Sequence, residues 1–396
     1  MKILYVCKTL PFAFKGGIQT HVWKLSEWML KQGHEVAILT SGTWKKKVQI
    51  EEMDGRTIIS IPYFPGRYVP VIGSLAEEWS FNKAAAAWLK SKQQQFDIIH
   101  LQGRSGNLFL ANPMDIKVPV INTLHGFIGI ENERRGNLDK VSLVTKLHLD
   151  WAFKIEEKAL QHATKLITVS EEMQRALLDR IPKSIDKSVI IPNGIDVLAV
   201  NNLVKTNDNL LVFVGRLDKI KGIFPLVEAM KKVRSDIKLV MIGDGDERPE
   251  LEKAIRRAGL EERIHLTGSL ESPQVFDWIR KSYALILPSF HETQGIVLME
   301  ANSCEKPVLA SDINGINEVV VQGKNGLLFK KNAPVKMAAA INYLFAHPEE
   351  AKRMGIWGKA FVNKQFSWKR IAENTEAVYN NCLTTTKTDS KTTNYA

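Results

Sequence analysis

The chain has 396 residues, 44% of them hydrophobic and 24% charged, with a formal net charge of +11. That length exceeds one typical domain and makes two the natural expectation, and no apolar run is long enough to span a bilayer. Cys7, Cys304 and Cys382 are scattered and show neither metal spacing nor a disulfide framework, which points to a reducing, cytoplasmic setting.

The basic excess is compatible with nucleic acid, an anionic membrane face or an anionic small ligand. No zinc-finger spacing, RNA-binding aromatic motif or basic heptad helix is present, so nucleic acid is disfavoured as a partner. The run Lys45-Lys46-Lys47 reads as a solvated loop. A peripheral position at the inner face of the cell membrane stays open.

The first run, 2–7, is apolar but short and leads into Lys8-Thr9-Leu10-Pro11 without a small-residue cleavage site. It reads as a first buried parallel strand, not a signal peptide. Strand-like runs follow at 35–40, 57–61, 98–101, 118–124, 165–169 and 188–191, with helical patterns at 20–32, 74–93 and 143–163. Such alternation predicts a parallel sheet with helices on both faces, an N-terminal domain over 1–193. Pro192-Asn193-Gly194-Ile195-Asp196 breaks the pattern, and a polar linker is expected over 194–209. A second alternation begins at 210–214 and continues through 239–242, 264–267, 284–287, 308–310 and 327–329. Helices at 333–345 and 349–365 close this second domain, 210–368. A further helical pattern covers 369–383, and the polar tail 384–396 lacks apolar periodicity and is expected to be disordered.

The motif richest in chemistry is Pro288-Ser289-Phe290-His291-Glu292-Thr293-Gln294-Gly295-Ile296-Val297-Leu298-Met299-Glu300-Ala301. A strand ends at Pro288, a loop carries Gly295, and a helix begins at Ile296. Unpaired N–H groups at a helix start suit a bound phosphate. Glu292 could face a polar substrate at the loop mouth, and Glu300 could reach a ribose hydroxyl. Equally, Glu292 could cap the helix and Glu300 be a solvated acid.

Other candidates also fall just after strands, where doubly wound sheets bind ligands. Gly16-Gly17-Ile18 would let backbone N–H groups approach an anion closely, or form an ordinary turn. Arg216 as a fork and Lys221 as a point charge could converge on a pyrophosphate, or simply be solvated. His125, before Gly126, is a polar contact or a structural histidine. Gly243-Asp244-Gly245 lacks the third glycine of a dinucleotide fingerprint.

An ordered set of segments carries a resemblance. It runs from Gly215-Arg216-Leu217 through Lys221-Gly222 and Val240-Met241-Ile242-Gly243-Asp244-Gly245 to Ile264-His265-Leu266-Thr267-Gly268. It continues through the Glu292 to Glu300 segment and Pro307-Val308-Leu309-Ala310-Ser311 to Glu318 with Asn325-Gly326. In that order they resemble the family 4 retaining glycosyltransferases of the GT-B type, over nearly the whole chain up to the tail. The resemblance implies an α/β fold of two Rossmann-like domains facing across a cleft, with the helix 369–383 crossing back to the N-terminal domain. It implies transfer of a sugar from a UDP- or GDP-sugar donor to a glycan, lipid-linked or small-molecule acceptor, as in polysaccharide biosynthesis. A 2-epimerase on the same fold and a non-catalytic binding subunit are the alternatives.

Roles follow from the resemblance. Gly16 and Gly17 would lie against the diphosphate, and Arg216 and Lys221 would bind it and stabilise its departure. Those cations would stand in for a metal, so no metal and no other cofactor is expected. His125 and Glu292 would lie by the donor sugar and Glu300 on the nucleotide ribose. Gly268, Gly295, Ile296 and Val297 complete the donor set, the last three through backbone N–H groups. The chain departs from the family at Thr293-Gln294-Gly295, commonly Gly-Phe-Gly, and at Asn314-Gly315-Ile316-Asn317-Glu318, commonly Gly-Gly before the acid. Segments 63–79 and 126–151 are expected to shape the acceptor side; the second, with its flank, carries Arg134, Arg135, Lys140, Lys146 and Lys154 among Leu147, Leu149, Trp151 and Phe153.

Overall fold

The computed structural model describes residues 1–13, 16–44, 46–66, 73–127, 143–196 and 206–392. Side chains of 74–75, 143–148 and 385–392 lie outside that description. The chain divides into two units, Met1–Pro192 with Ile371–Ala396, and Asn193–Arg370.

In unit 1 the apolar runs form β1 (Lys2–Val6), β2 (Glu35–Ser41), β4 (Arg56–Ile61), β5 (Ile98–Gln102), β6 (Val120–Leu124), β7 (Lys165–Thr168) and β8 (Ser188–Ile190), with β3 (Gln49–Met53) added at one edge. The sheet order is β3-β4-β2-β1-β5-β6-β7-β8, parallel except for the antiparallel β3–β4 pair. Central strands are uniformly apolar because helices cover both faces. The helices are α1 (Gly17–Lys31), α2 (Gly73–Lys92), α3 (Asn107–Leu110), α4 (Leu143–His162) and α5 (Glu171–Arg180). One face of the sheet buries Leu4, Val6, Leu101 and Leu124 against Phe81, Leu89 and Leu160. On α1, Ser26 Oγ accepts from the buried Arg56 Nε at 2.7 Å, and the guanidinium lies over the Trp23 ring at 4.1 Å.

Strand β3 is not among the expected elements. Its residues are mostly exposed and polar, so it has no apolar period. Its signal is instead the turn, Asp54-Gly55, with φ of 48° and 77°, a pairing typical of two-residue hairpins.

Unit 2 comprises β9 (Leu210–Val214), β10 (Lys238–Ile242), β11 (Ile264–Gly268), β12 (Ala284–Leu287), β13 (Val308–Ser311) and β14 (Gly326–Phe329). All are parallel, in the order β11-β10-β9-β12-β13-β14. This is a Rossmann order, and it reverses direction between β9 and β12. Helices α6 (Ile223–Met230), α7 (Arg248–Arg257), α8 (Ser272–Lys281), α9 (Ile296–Ser303), α10 (Asn314–Asn317), α11 (Pro334–Ala346) and α12 (Pro348–Phe366) cover it. Leu211, Phe213, Leu285, Leu298 and Val308 lie in one buried cluster.

The expected linker is not a free connector at either described end. The Ile195 N–H donates to Phe366 O at 2.8 Å, and Ile195 is buried in the unit 2 core. At the other end Asn207 N–H donates to Lys281 O at 2.8 Å, and Lys306 Nζ to Thr206 Oγ1 at 2.9 Å. Residues 197–205 lie outside the described residues.

The last helix, α13 (Trp368–Thr392), contributes to unit 1 from Ile371 onward. Tyr379 OH lies 2.6 Å from His100 Nδ1 and 3.1 Å from Tyr5 OH, and Glu376 meets His34 Nε2 at 2.9 Å. The segment expected to be disordered from residue 384 is helical through Thr392. A helix already nucleated by packing extends at one hydrogen bond per added residue, without needing an apolar face. Residues 393–396 lie outside the described residues. Among the described residues no helix is long and apolar enough to cross a membrane.

Candidate functional site

In unit 2 the strand order reverses between β9 and β12, and doubly wound sheets bind ligands beyond the carboxyl ends of the strands at such a point. Strand β9 runs out into Gly215-Arg216-Leu217. Asp218 Oδ1 then accepts the Ile220 N–H at 3.1 Å and caps a 3-10 helix, Lys219–Lys221, which fixes where Lys221 emerges. Gly222 follows at φ 68°, and a Cβ there would lie 2.0 Å from Pro288 O. Only glycine lets the β9 loop close on the end of β12. The Phe290 N–H donates to Ile220 O at 2.7 Å and joins the two loops.

These contacts bring Lys221 Nζ within 2.5 Å of Glu292 Oε1, and Ser289 Oγ donates to the same oxygen at 2.9 Å. The side chains are 22% and 13% exposed, a sheltered but not buried pair. Behind it, a Cβ on Gly315 would lie 2.2 Å from Glu292 O, so the β13 loop backs the Glu292 backbone. This glycine is retained within the departed segment Asn314-Gly315-Ile316-Asn317-Glu318.

Gly295, at φ 69°, precedes α9 and supplies no side-chain cap, so the helix begins with backbone N–H groups at Ile296 and Val297. Arg216 is not drawn to Glu292. Its Nη2 lies 3.0 Å from Asp218 Oδ2, and its side chain is 56% exposed. Gly268 ends β11 and accepts the Gly243 N–H at 2.9 Å, in contact with the β10 loop rather than with the ion pair.

Glu300 stands apart from Glu292. It is half-buried on α9, and its carboxyl is pushed up to about 7, first by desolvation and then by the charge of Asp196. In the unfolded chain it titrates near 4.5. Between those values the native state holds a proton that the unfolded state has lost. The stability this group contributes is therefore full below pH 4.5 and is lost as pH rises through 7. Glu300→Gln is expected to match the wild type near pH 4.5 and to be more stable at pH 8, by up to about 3 kcal/mol. Thermal melts of both proteins across that range check the sign.

Gln294 has a role that spacing does not disclose. It is 2% exposed, and its Oε1 accepts from both the Asn193 backbone N–H at 2.9 Å and Asn193 Nδ2 at 2.7 Å. The residue that departs from the pattern of the resembling family thus ties the Glu292 loop to the start of unit 2. Gln294→Leu removes both acceptances inside a buried site and is expected to cost about 2 kcal/mol. Denaturant unfolding with an unchanged m-value would read that loss.

In unit 1, Gly16 is the extended residue before α1, which begins at Gly17 with no side-chain cap. Phe14 and Lys15 lie outside the described residues. His125 is half-buried just after β6, with Nε2 3.0 Å from Gln102 Oε1 and its ring 4.9 Å from that of His21. Desolvation holds it well below the usual histidine range, and the neighbouring His21 and His100 lower it further. Gln102 and His21 are not among the sequence candidates. The available signal is polar residues within otherwise buried elements.

Of the segments expected to shape the acceptor side, 67–72 and 128–142 lie outside the described residues, and with them Arg134, Arg135 and Lys140. The side chain of Lys146 is likewise outside. What is described includes an open groove of about 470 Å³ lined by Trp44, Tyr63, Phe64, Trp79 and Lys83. Trp44 and the Tyr63-Phe64 pair follow β2 and β4. Trp79 also borders a cavity of about 40 Å³ that it shares with Arg104, Asn107 and Trp151.

Residues 15–197 match the family described as glycosyltransferase family 4, and residues 196–361 match glycosyl transferases group 1. An α-maltose-1-phosphate synthase of Mycobacterium tuberculosis is 34% identical over 253 residues, 57% of this chain and just under two thirds, 65%, of that relative. An uncharacterized glycosyltransferase of Methanocaldococcus jannaschii is 31% identical over 293 residues, 73% of this chain and 76% of the relative. Among solved structures, sucrose-phosphate synthase from Thermosynechococcus elongatus aligns with a TM-score of 0.79 at 21% identity, over 97% of this chain and 99% of that one.

Proposed function

Because the chain belongs to the family 4, group 1 glycosyltransferases of the GT-B fold, we propose that it moves a sugar from a UDP- or GDP-sugar to an acceptor, with retention and without a metal ion. The observation that carries this reading is the Lys221–Glu292 pair held just past the carboxyl ends of the neighbouring strands β9 and β12, in the segment leading into α9. A departing diphosphate gathers negative charge. Lys221, the solvent-facing Arg216 and the α9 N–H groups offer positive charge and donors to meet it. The reacting sugar gathers positive charge at its anomeric carbon, and the Glu292 carboxylate offers the complement.

Retention then proceeds on one face of the sugar. The bond from the anomeric carbon to the phosphate oxygen breaks, and a bond to the acceptor oxygen forms. The acceptor's proton passes to the departing phosphate. This differs from the double displacement of retaining glycosidases, which needs a carboxylate nucleophile. In unit 1, His125 would take a hydrogen bond from a donor-sugar hydroxyl, while Glu300 in unit 2 would hold the ribose. The aromatic groove beside Trp79 has the size and ring faces to receive a glycan or lipid-linked sugar.

Calorimetric titration with UDP and GDP tests the donor side. The nucleotide that binds is expected to keep its affinity in EDTA, and loss on chelation would remove the metal-free mechanism. Nucleotide release during donor screening should depend on acceptor, with the product anomer matching the donor by NMR. Release without acceptor would show hydrolysis, an inverted anomer would overturn retention, and isomerised sugar would show an epimerase.

A further inference from the structure

Unit 1 buries a polar contact that the transfer scheme leaves without a task. Gln102 closes β5 at 1% exposure, with its Oε1 3.0 Å from His125 Nε2. Its amide nitrogen has no hydrogen-bond partner among the described residues. A buried amide satisfied on one side only is costly, and an apolar residue at this strand position would avoid the cost. What the amide gains is its hold on His125.

The neighbouring polar side chain on this face of β5 cannot take that place. His100 is occupied at both nitrogens, by Tyr379 OH at 2.6 Å and Thr123 Oγ1 at 2.7 Å. From α1, the buried His21 sets its ring edge-on to His125, at 4.9 Å and 76°. Burial keeps the His125 ring neutral. A neutral imidazole carries one proton on two nitrogens, so its chemistry depends on which tautomer is present.

We propose that Gln102 is a positioning residue: its amide oxygen accepts the Nε2 proton of His125 and fixes the tautomer in which Nδ1 is the hydrogen-bond acceptor. A sugar hydroxyl has a proton to donate, and a bare ring nitrogen is the partner it requires. Locking the proton beforehand spares the ring a rearrangement when donor binds. The effect on rate rests on His125 facing the donor sugar, whereas the tautomer follows from the Gln102 contact alone.

The test separates the two. In full-length protein labelled with ¹⁵N-histidine, NMR without substrate is expected to show His125 protonated at Nε2. Gln102→Leu should give a mixture of tautomers, with kcat lower by roughly tenfold to a hundredfold and donor KM within about twofold. Gln102→Glu keeps an acceptor at the same reach and should restore the Nε2–H tautomer. An Nδ1–H ring in the wild type, or an unchanged tautomer in folded Gln102→Leu, overturns the proposal. Should Gln102→Leu fail to fold, the wild-type and Gln102→Glu spectra decide it. A shifted tautomer with normal turnover would keep the lock and sink the donor-sugar role of His125.

Discussion

Glu292→Gln is expected to lower kcat by roughly a hundredfold to a thousandfold while donor KM stays within about threefold. The substitution keeps the size and the hydrogen-bonding reach of the side chain. It removes the negative charge that Lys221 and Ser289 orient from 2.5 and 2.9 Å. A charge that matters mainly when the anomeric carbon turns positive is felt in the transition state and little in the ground state. Stability should change little, because the amide oxygen can still accept from Lys221 and Ser289. If Glu292 only caps the loop, steady-state kinetics will be normal and that role is refuted.

Lys221→Ala is expected to act on binding and on rate together, lowering kcat/KM by roughly a hundredfold or more. The ammonium would meet a diphosphate already charged in the ground state and more charged as it leaves. Stability should fall by about 1 kcal/mol, since the variant takes the cation from a sheltered Glu292 and leaves it the Ser289 hydrogen bond, and sheltered pairs lie between surface and buried ones. Arg216→Ala should share the kinetic direction with no loss of stability, because that side chain is mostly solvent-facing and its ion pair is with the half-exposed Asp218. Donor kinetics, nucleotide titration and melting curves on the two variants give the split. Folded Lys221→Ala protein with normal kcat/KM would remove the pair from the reaction.

The double variant Lys221→Ala, Glu292→Gln adds a check on coupling. Two groups that touch should not contribute additively, so the combined loss should fall short of the product of the single losses.

The fold was largely legible because parallel strands buried on both faces must be apolar throughout, and those runs stand out between helical periods. The exposed edge strand β3 obeys no such demand, and only its Asp54-Gly55 turn marks it. The helical extension past residue 383 was equally hidden, since propagation from a packed helix leaves no apolar pattern.

The site divides along the same line. Sequence by itself set Arg216, Lys221, His125 and Glu292 just past the ends of strands, and set Gly295 at the turn into a helix, because local pattern decides where strands stop and helices start. Which of these meet was decided by strand order. Lys221 and Glu292 lie 71 residues apart and touch because β9 is hydrogen-bonded beside β12, while Arg216, on the same loop as Lys221, is held by its near neighbour Asp218. Gln294 reaches Asn193 across 101 residues, and Gln102 reaches His125 across 23 and a neighbouring strand. A hydrogen bond needs its partners within about 3 Å, and only the packed sheet brings residues so distant in the chain that close.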